Sequence, residues 1–521
     1  MIRTEDIYEL IKSLTPSEKR YFKLFSSFAK KNEENNYVTL FDVIDKLPSL
    51  ENINENLQKK LKKTSFDSNL QATRTYLHTL ILKSLKSYNN SSASDKIEDM
   101  LKDVRILYSK GLYTQTNEIL DKLEEITLQE EKYHHLLEAY VYRNKMTPYS
   151  VDESGKSNME RSNSIYEKYK TTLAILDQQT EYNILFNRIN ELYLDNKLVR
   201  SEEINKQLTT ILQHPLLQSK DLPASFEAKK IFHAIHIIGA SFIGNAIKEN
   251  EFCHDLLMVF ENNPEKTKTN FAFYTSTIRN YINSSLHLLK TENLDAWINK
   301  YQNLPQRYPG SITPEKGRIM QLMASDFMLN LYIANNQFSE ADIYVKNNLD
   351  KIISLLDTKK YKVNTNSRMW GTEVSYNIAY IAFANGQYKE SLKWINKIEN
   401  ESHKENLIQI QTYAKLLRLI LLFELNDPYL NYTLRSTYRF LLRQNRLLKF
   451  EKTIIDCLKF IPKFNTTEEF HKFYETININ LLPLWENELE KRNLRSLNLL
   501  AWAKSKLSKK SFTEALVSIS K

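Results

Sequence analysis

Four residues of this 521-residue chain come nearest to a metal-ligand set: His233 and His236, three apart on one helical face, with Cys253 and His254 downstream. Neutral imidazoles and a thiolate are donors that zinc takes, but they must converge on one point. With a helix turn near Asn250, His236 stands about 20 Å before it along the axis, whereas Cys253 adjoins the turn. The spacing therefore predicts satisfied core histidines and no metal. Phosphate chemistry meets a similar obstacle. Gly239 and Gly244 have the separation of a phosphate loop, but Asn245-Ala246 follows where Lys and Ser/Thr would be needed. Close helix packing is the expected use of these glycines. No G-x-G-x-x-G, H-E-x-x-H, G-x-S-x-G or C-x-x-C occurs. His134 and His135 point to different sides of a helix with no Cys or Ser coupled to them. Glu468-Glu469 and Glu486, Glu488 and Glu490 read as solvated helix faces. The expectation is a chain with no catalytic residue, no cofactor and no metal.

Charge is more informative. Lys+Arg number 72 against 63 Asp+Glu, a net charge of +9, and residues 431–521 hold 17 Lys+Arg against 9 Asp+Glu. Arg435, Arg439, Arg443 and Arg446, spaced 4, 4 and 3, align on one helix face opposite Leu434, Tyr438, Leu441 and Leu448. Lys504, Lys506, Lys509 and Lys510 form a second cluster. Such a face either stays solvated or meets an acidic protein or phosphates, the last with a steep salt dependence. A third run, Lys59-Lys60-Leu61-Lys62-Lys63, precedes a helix with Arg74 and His78, but no turn glycine or β-wing marks a helix-turn-helix.

The elements that position these residues are helices. Eight glycines and twelve prolines in 521 residues leave little for hairpins or phosphate loops, so the chain reads as all-α. Two cysteines, Cys253 and Cys457, make no disulfide framework and fit a reducing compartment. The start, MIRTEDIYELIK, lacks the apolar core of a signal peptide. The most apolar stretch, Ile231 to Ile247, carries His233 and His236 and is too short to span a bilayer. These features predict a cytoplasmic protein without membrane insertion.

Residues 1–88 form a first helical unit. Ile7, Leu10, Ile11 and Leu14 make one amphipathic face; Thr15-Pro16-Ser17-Glu18 is a capping-box start for a helix with Tyr21, Leu24, Phe25 and Phe28 inward. Leu77, Ile81, Leu85 and Tyr88 stripe the last helix of this unit. From about residue 95 an element recurs: an apolar helix, a short Asn or Gly turn, an aromatic or Leu, a small or acidic residue, and a second helix. Its copies centre on Gly111 and Tyr113, Asn250 and Phe252, Asn293 and Leu294, Asn336 with Phe338 and Ala341, Gly386 and Tyr388, and Asn426 and Tyr429. The successive ring or Leu markers, Phe252, Leu294, Phe338, Tyr388 and Tyr429, lie 41 to 50 residues apart. Stretches at Thr147–Asn158, Pro215–Ala224, Leu304–Gly317 and Thr358–Arg368 read as loops. Helices near Phe473–Leu489 and Leu494–Leu507, anchored by Trp485 and Trp502, read as a cap. The expected division is 1–88, an N-terminal unit; 95–464, the repeats; and 465–521, the cap.

The copy from Tyr376 to Ile395 resembles a tetratricopeptide repeat (TPR), through small Ala379, the Asn385-Gly386 turn, Tyr388 and small Ser391, which matches Ala341 one copy earlier. It departs where Ser391 replaces alanine and Ile398 stands for a second small residue; the terminal proline and the period of about 34 residues are absent. The resemblance implies a right-handed superhelical α-solenoid whose concave face binds a peptide or partner protein, with no catalysis. Asn377 and Tyr380 then become groove residues. Glu373 and Tyr376 stand where a carboxylate clamp needs basic residues, so no clamp is implied. The alternative is a nucleic-acid-binding regulator that uses the N-terminal or C-terminal basic helices.

Overall fold

The helix start at Thr15 forms as expected. In a computed structural model the Thr15 amide donates to Glu18 Oε2 at 2.7 Å and the Glu18 amide to Thr15 Oγ1 at 3.3 Å. The structure describes residues 2–29, 36–47, 53–62, 69–88, 93–149, 157–196, 201–219, 221–357, 365–401, 408–459, 466–486 and 494–520. Among them there is no strand, and every regular element is a helix. No helix among them is long and apolar enough to cross a membrane. The chain divides into two compact units, Met1–Thr180 and Glu181–Lys521.

The first unit begins with α1 (Thr4–Ser13), α2 (Pro16–Ala29), α3 (Asn36–Asp45), α4 (Ile53–Leu61) and α5 (Leu70–Tyr88). Helices α1, α2 and α3 all pack on α5. Ile7, Ile11, Leu77 and Ile81 are fully buried, as their spacing predicts. Helix α2 is turned from its expected face: Phe22 is fully buried and stacks on Phe41 with centroids 4.5 Å apart, while Leu24 is exposed. Tyr21 is half-buried, its ring against Tyr88 and its hydroxyl 2.9 Å from Ser87 Oγ. The Phe28 side chain lies outside the described residues. Next come α6 (Ala93–Ser109), α7 (Tyr113–Gln129) and α8 (Tyr133–Met146), packed in sequence around Ile97, Leu101, Leu120 and Leu123. A 3-10 turn at Thr147–Tyr149 opens the expected loop there, and residues 150–156 lie outside the described ones. The unit boundary falls inside α9 (Asn158–Asn196).

The second unit holds α10 (Glu202–Leu212), α11 (Pro215–Gln218), α12 (Phe226–Ile243), α13 (Ala246–Glu261), α14 (Pro264–Thr267), α15 (Phe271–His287), α16 (Leu294–Arg307), α17 (Pro314–Ala334), α18 (Phe338–Leu356), α19 (Thr365–Ala384), α20 (Tyr388–Glu401), α21 (Ile408–Glu424), α22 (Leu430–Arg443), α23 (Lys449–Lys459), α24 (Thr467–Trp485), α25 (Leu499–Ser508) and α26 (Phe512–Ser520). Side-chain oxygens of Ser201, Ser225, Asn245, Thr313 and Asn498 cap five of these starts. The expected loop at 304–317 is shorter than read. Helix α16 continues through Pro305 to Arg307, and Pro314 begins α17 where a missing amide hydrogen costs nothing. Likewise α11 occupies the start of the 215–224 stretch. Of the 358–368 stretch, residues 358–364 lie outside the described ones and α19 starts at Thr365.

From α12 onward the packing resembles a helical repeat. Each helix meets the next, apart from the short α14, and α13, α15, α17, α19 and α21 also meet one another in order as a continuous row. Their apolar faces fill two cores, one from α12 to α17 and one from α17 to α26. Covered on several sides, α17, α19 and α21 bury many of their residues, polar ones such as Arg318, Asp326, Ser375 and Thr412 included.

Candidate functional site

Repeat turns are the first candidates, and most form as one structure. Gly111, Asn336, Gly386 and Asn426 have φ of +72°, +58°, +73° and +50°. In each, the amide of that residue donates to the carbonyl three before it, and the following amide to the carbonyl five before it, at 2.8 to 3.1 Å. This is the left-handed closure that satisfies the last carbonyls of a helix. The same pair of bonds closes turns at Glu131, Gly244, Leu289 and Asn445, which carry no turn signature except at Gly244 and Asn445.

Three of the expected turn residues are placed differently. Asn250 and Phe252 lie inside α13, because the turn stands earlier at Gly244-Asn245; Asn250 Nδ2 donates to Ser284 Oγ at 2.9 Å and Ser285 Oγ at 2.7 Å. Phe252 stacks on His236 with centroids 4.5 Å apart. Tyr429 does not pack between helices; it is 69 % exposed. Asp427 Oδ1 accepts from the Tyr429 amide at 2.9 Å. Leu294, Phe338 and Ala341 are buried, Tyr113 stacks on Tyr149 at 4.4 Å, and Tyr388 is half-buried beside Phe383. Ser391, in the alanine position, is fully buried because its Oγ donates to the Ala379 carbonyl at 2.7 Å.

His233 and His236 are core residues, but they are not fully satisfied. His233 Nδ1 and His236 Nε2 meet no hydrogen-bond partner. Burial holds both below the ordinary histidine value, His233 at about 4, so both are neutral at pH 7. Burial also pushes the Cys253 thiol up. Among the described residues, no three His, Cys, Asp or Glu gather as metal ligands. Glu469 completes a capping box with Thr466, and Glu488 and Glu490 lie outside the described residues.

The expected groove residues Asn377 and Tyr380 are 8 % and 2 % exposed. Asn377 Nδ2 donates to Asp326 Oδ1 at 2.8 Å. Tyr380 accepts from the Asn498 amide at 3.2 Å, and Tyr376 donates to the Ser496 carbonyl at 2.9 Å. Phe512 packs edge-on against Phe338, Tyr380 and Phe383. Residues 496–512 thus cover Tyr380, whereas Asn377 is engaged by Asp326 of α17. They are fastened by Glu424, which takes Trp502 Nε1 and Lys506 Nζ, both at 2.7 Å, and Tyr474 Oη at 3.3 Å. Lys506, expected in a basic cluster, is therefore an internal ion pair.

A buried carboxyl pair beneath Asn377 escaped the sequence reading. Burial and the nearby Glu373 charge hold Asp326 well above the carboxylate range, although Asn377 and Asn330 amides donate to it. Burial pushes Glu373 up to about 7. Asp326 and Glu373 come from α17 and α19, and no spacing along one helix announces such a pair.

The arginine face is on α22. Arg435, Arg439 and Arg443 are exposed and, among the described residues, make no ion pair. Arg446 leaves the stripe because α22 ends at Arg443 and Asn445 turns the chain. Between α21 and the start of α22 lies a cavity of about 220 Å³ lined by Lys415, Arg418, Tyr429, Tyr432, Thr433, Ser436 and Thr437. Lys415 Nζ stands 5.0 Å from the Phe440 ring. Burial holds both Lys415 and Arg418 below their ordinary values, against a raising contribution on Arg418 from Asp427. Sequence reading noted the α22 arginines but missed this pair, three apart on the apolar α21.

No protein-family model and no curated protein matches the chain.

Proposed function

We propose that the chain is a non-catalytic interaction protein of the cytoplasm: a TPR-like, right-handed superhelical array of hairpins that holds a protein or peptide partner. The supporting observation is the recurrence of one left-handed closure, at Gly111, Asn336, Gly386 and Asn426, between helices that pack on their neighbours in sequence. Hairpins of this kind cannot bury their faces alone, so they stack and expose an extended surface suited to binding. With Asn377 and Tyr380 held inside the fold, the partner docks outside the stretch that residues 496–512 cover.

Affinity capture of the full chain from its own cells, with and without nuclease, followed by mass spectrometry, tests this reading. One protein retained in near-stoichiometric amount in both arms is the expected result, and it should rebind when purified. Failure of any protein to rebind the purified chain would overturn it.

A further inference from the structure

The wall between α21 and α22 combines three features. Lys415 and Arg418, one turn apart, bring two cations to a cavity of about 220 Å³, several times the roughly 30 Å³ that a water occupies in the liquid. Thr433, Ser436 and Thr437 line the same cavity with hydroxyls able to donate to an anion. Tyr429 and Tyr432, 69 % and 75 % exposed, stand at its rim as two of the most exposed large side chains of the described residues. From the cavity a ridge continues along α22. Tyr432, Ser436, Arg439 and Arg443 follow at i, i+4, i+7 and i+11, which keeps them on one face, with the arginines about 5 and 10 Å beyond Ser436. The acid whose charge reaches Arg418, Asp427, accepts the Tyr429 amide.

We propose that this wall is a binding site for single-stranded nucleic acid, with one phosphate in the Lys415–Arg418 cavity, bases stacked on Tyr429 and Tyr432, and the following phosphates on Arg439 and Arg443. Cations that track a backbone beside open aromatic faces are the combination by which unpaired strands are held, since every base has a stacking face. A duplex keeps its bases stacked on one another and offers none to the tyrosines. An acidic peptide would use the cations and leave the rings idle.

The test is fluorescence anisotropy of the purified full chain with a labelled single strand of about 15 nucleotides, near the upper end of common single-strand site sizes. Three phosphate contacts give a log–log salt slope of about −2, so a fourfold rise in salt should weaken binding about 20-fold. Tyr432→Ala, at an exposed ring, should weaken it about tenfold with an unchanged melting temperature. Arg439→Glu with Arg443→Glu should weaken it further and flatten the salt slope, whereas Lys59→Glu, in the other basic run, should leave it unchanged. No binding at low salt would overturn the proposal. So would equal affinity for a duplex of the same length, equal competition by a polyglutamate peptide, or indifference to Tyr432→Ala.

Discussion

At the scale of single residues, the groups most sensitive to pH are buried and act with opposite sign over overlapping windows. Glu373 has a folded pKa of about 7, above its ordinary value, so its charged form is disfavoured in the fold. Stability is full at acid pH and is lost as pH rises through about 7. Relative to the unsubstituted chain, Glu373→Gln should therefore gain melting temperature as pH rises from about 5 to about 7 in a pH series of thermal melts. His233 works in the opposite direction. Its folded value of about 4 lies below that of the free side chain, so stability is full above pH 6.5 and drains as pH falls toward 4. One proton gives a slope of up to about 1.4 kcal/mol per pH unit, which His233→Leu should remove in urea titrations at graded pH. Sequence placed the histidines in the core correctly, since they sit in the most apolar helix. It could not place Asp326 beside Glu373 and Asn377, because α17 and α19 meet only in the folded chain.

At the scale of elements, the repeat is a repeat of closures more than of side chains. At Gly386 an added Cβ would meet nothing within 4 Å, so Gly386→Ala tests the left-handed backbone alone and should cost about 1 kcal/mol in urea unfolding. Asn336→Gly, at φ +58°, should be neutral or stabilising by up to about 1 kcal/mol. Gly239 is different: a Cβ there would stand 3.0 Å from Leu212 Cδ2, so this glycine serves close helix packing, while Gly244 serves its turn. Turns at Gly111, Asn336, Gly386 and Asn426 were legible because these residues enter the left-handed region at little cost. Turns at Glu131 and Leu289 were not, since their residues give no such signal. The Asn250 turn was misplaced by five residues because an asparagine inside a helix looks the same on paper as one that ends it.

For the second unit as a whole, the decisive contacts join residues far apart in sequence. Trp502 is 1 % exposed among Phe383, Phe423, Phe473 and Tyr474, and its Nε1 reaches Glu424. Trp502→Ala should cost about 3–5 kcal/mol in this unit and increase binding of an apolar dye to the uncovered row. Helical class, the capping box at Thr15, the inward stripes of α1 and of α5 as far as Leu85, and the turns at Gly111, Asn336, Gly386 and Asn426 were determined by sequence alone, because each depends on residues within about one or two turns of one another. Which surface the last residues would cover, and which basic groups would remain open, was decided by tertiary structure. An apolar stripe states that a face must be buried, not what buries it, and a run of lysines does not reveal that Lys506 will meet a carboxylate 82 residues away. The cavity beside Lys415 and Arg418 likewise exists only where α21 and α22 meet, since a cation on an apolar helix acquires a role from the neighbour that leaves space around it.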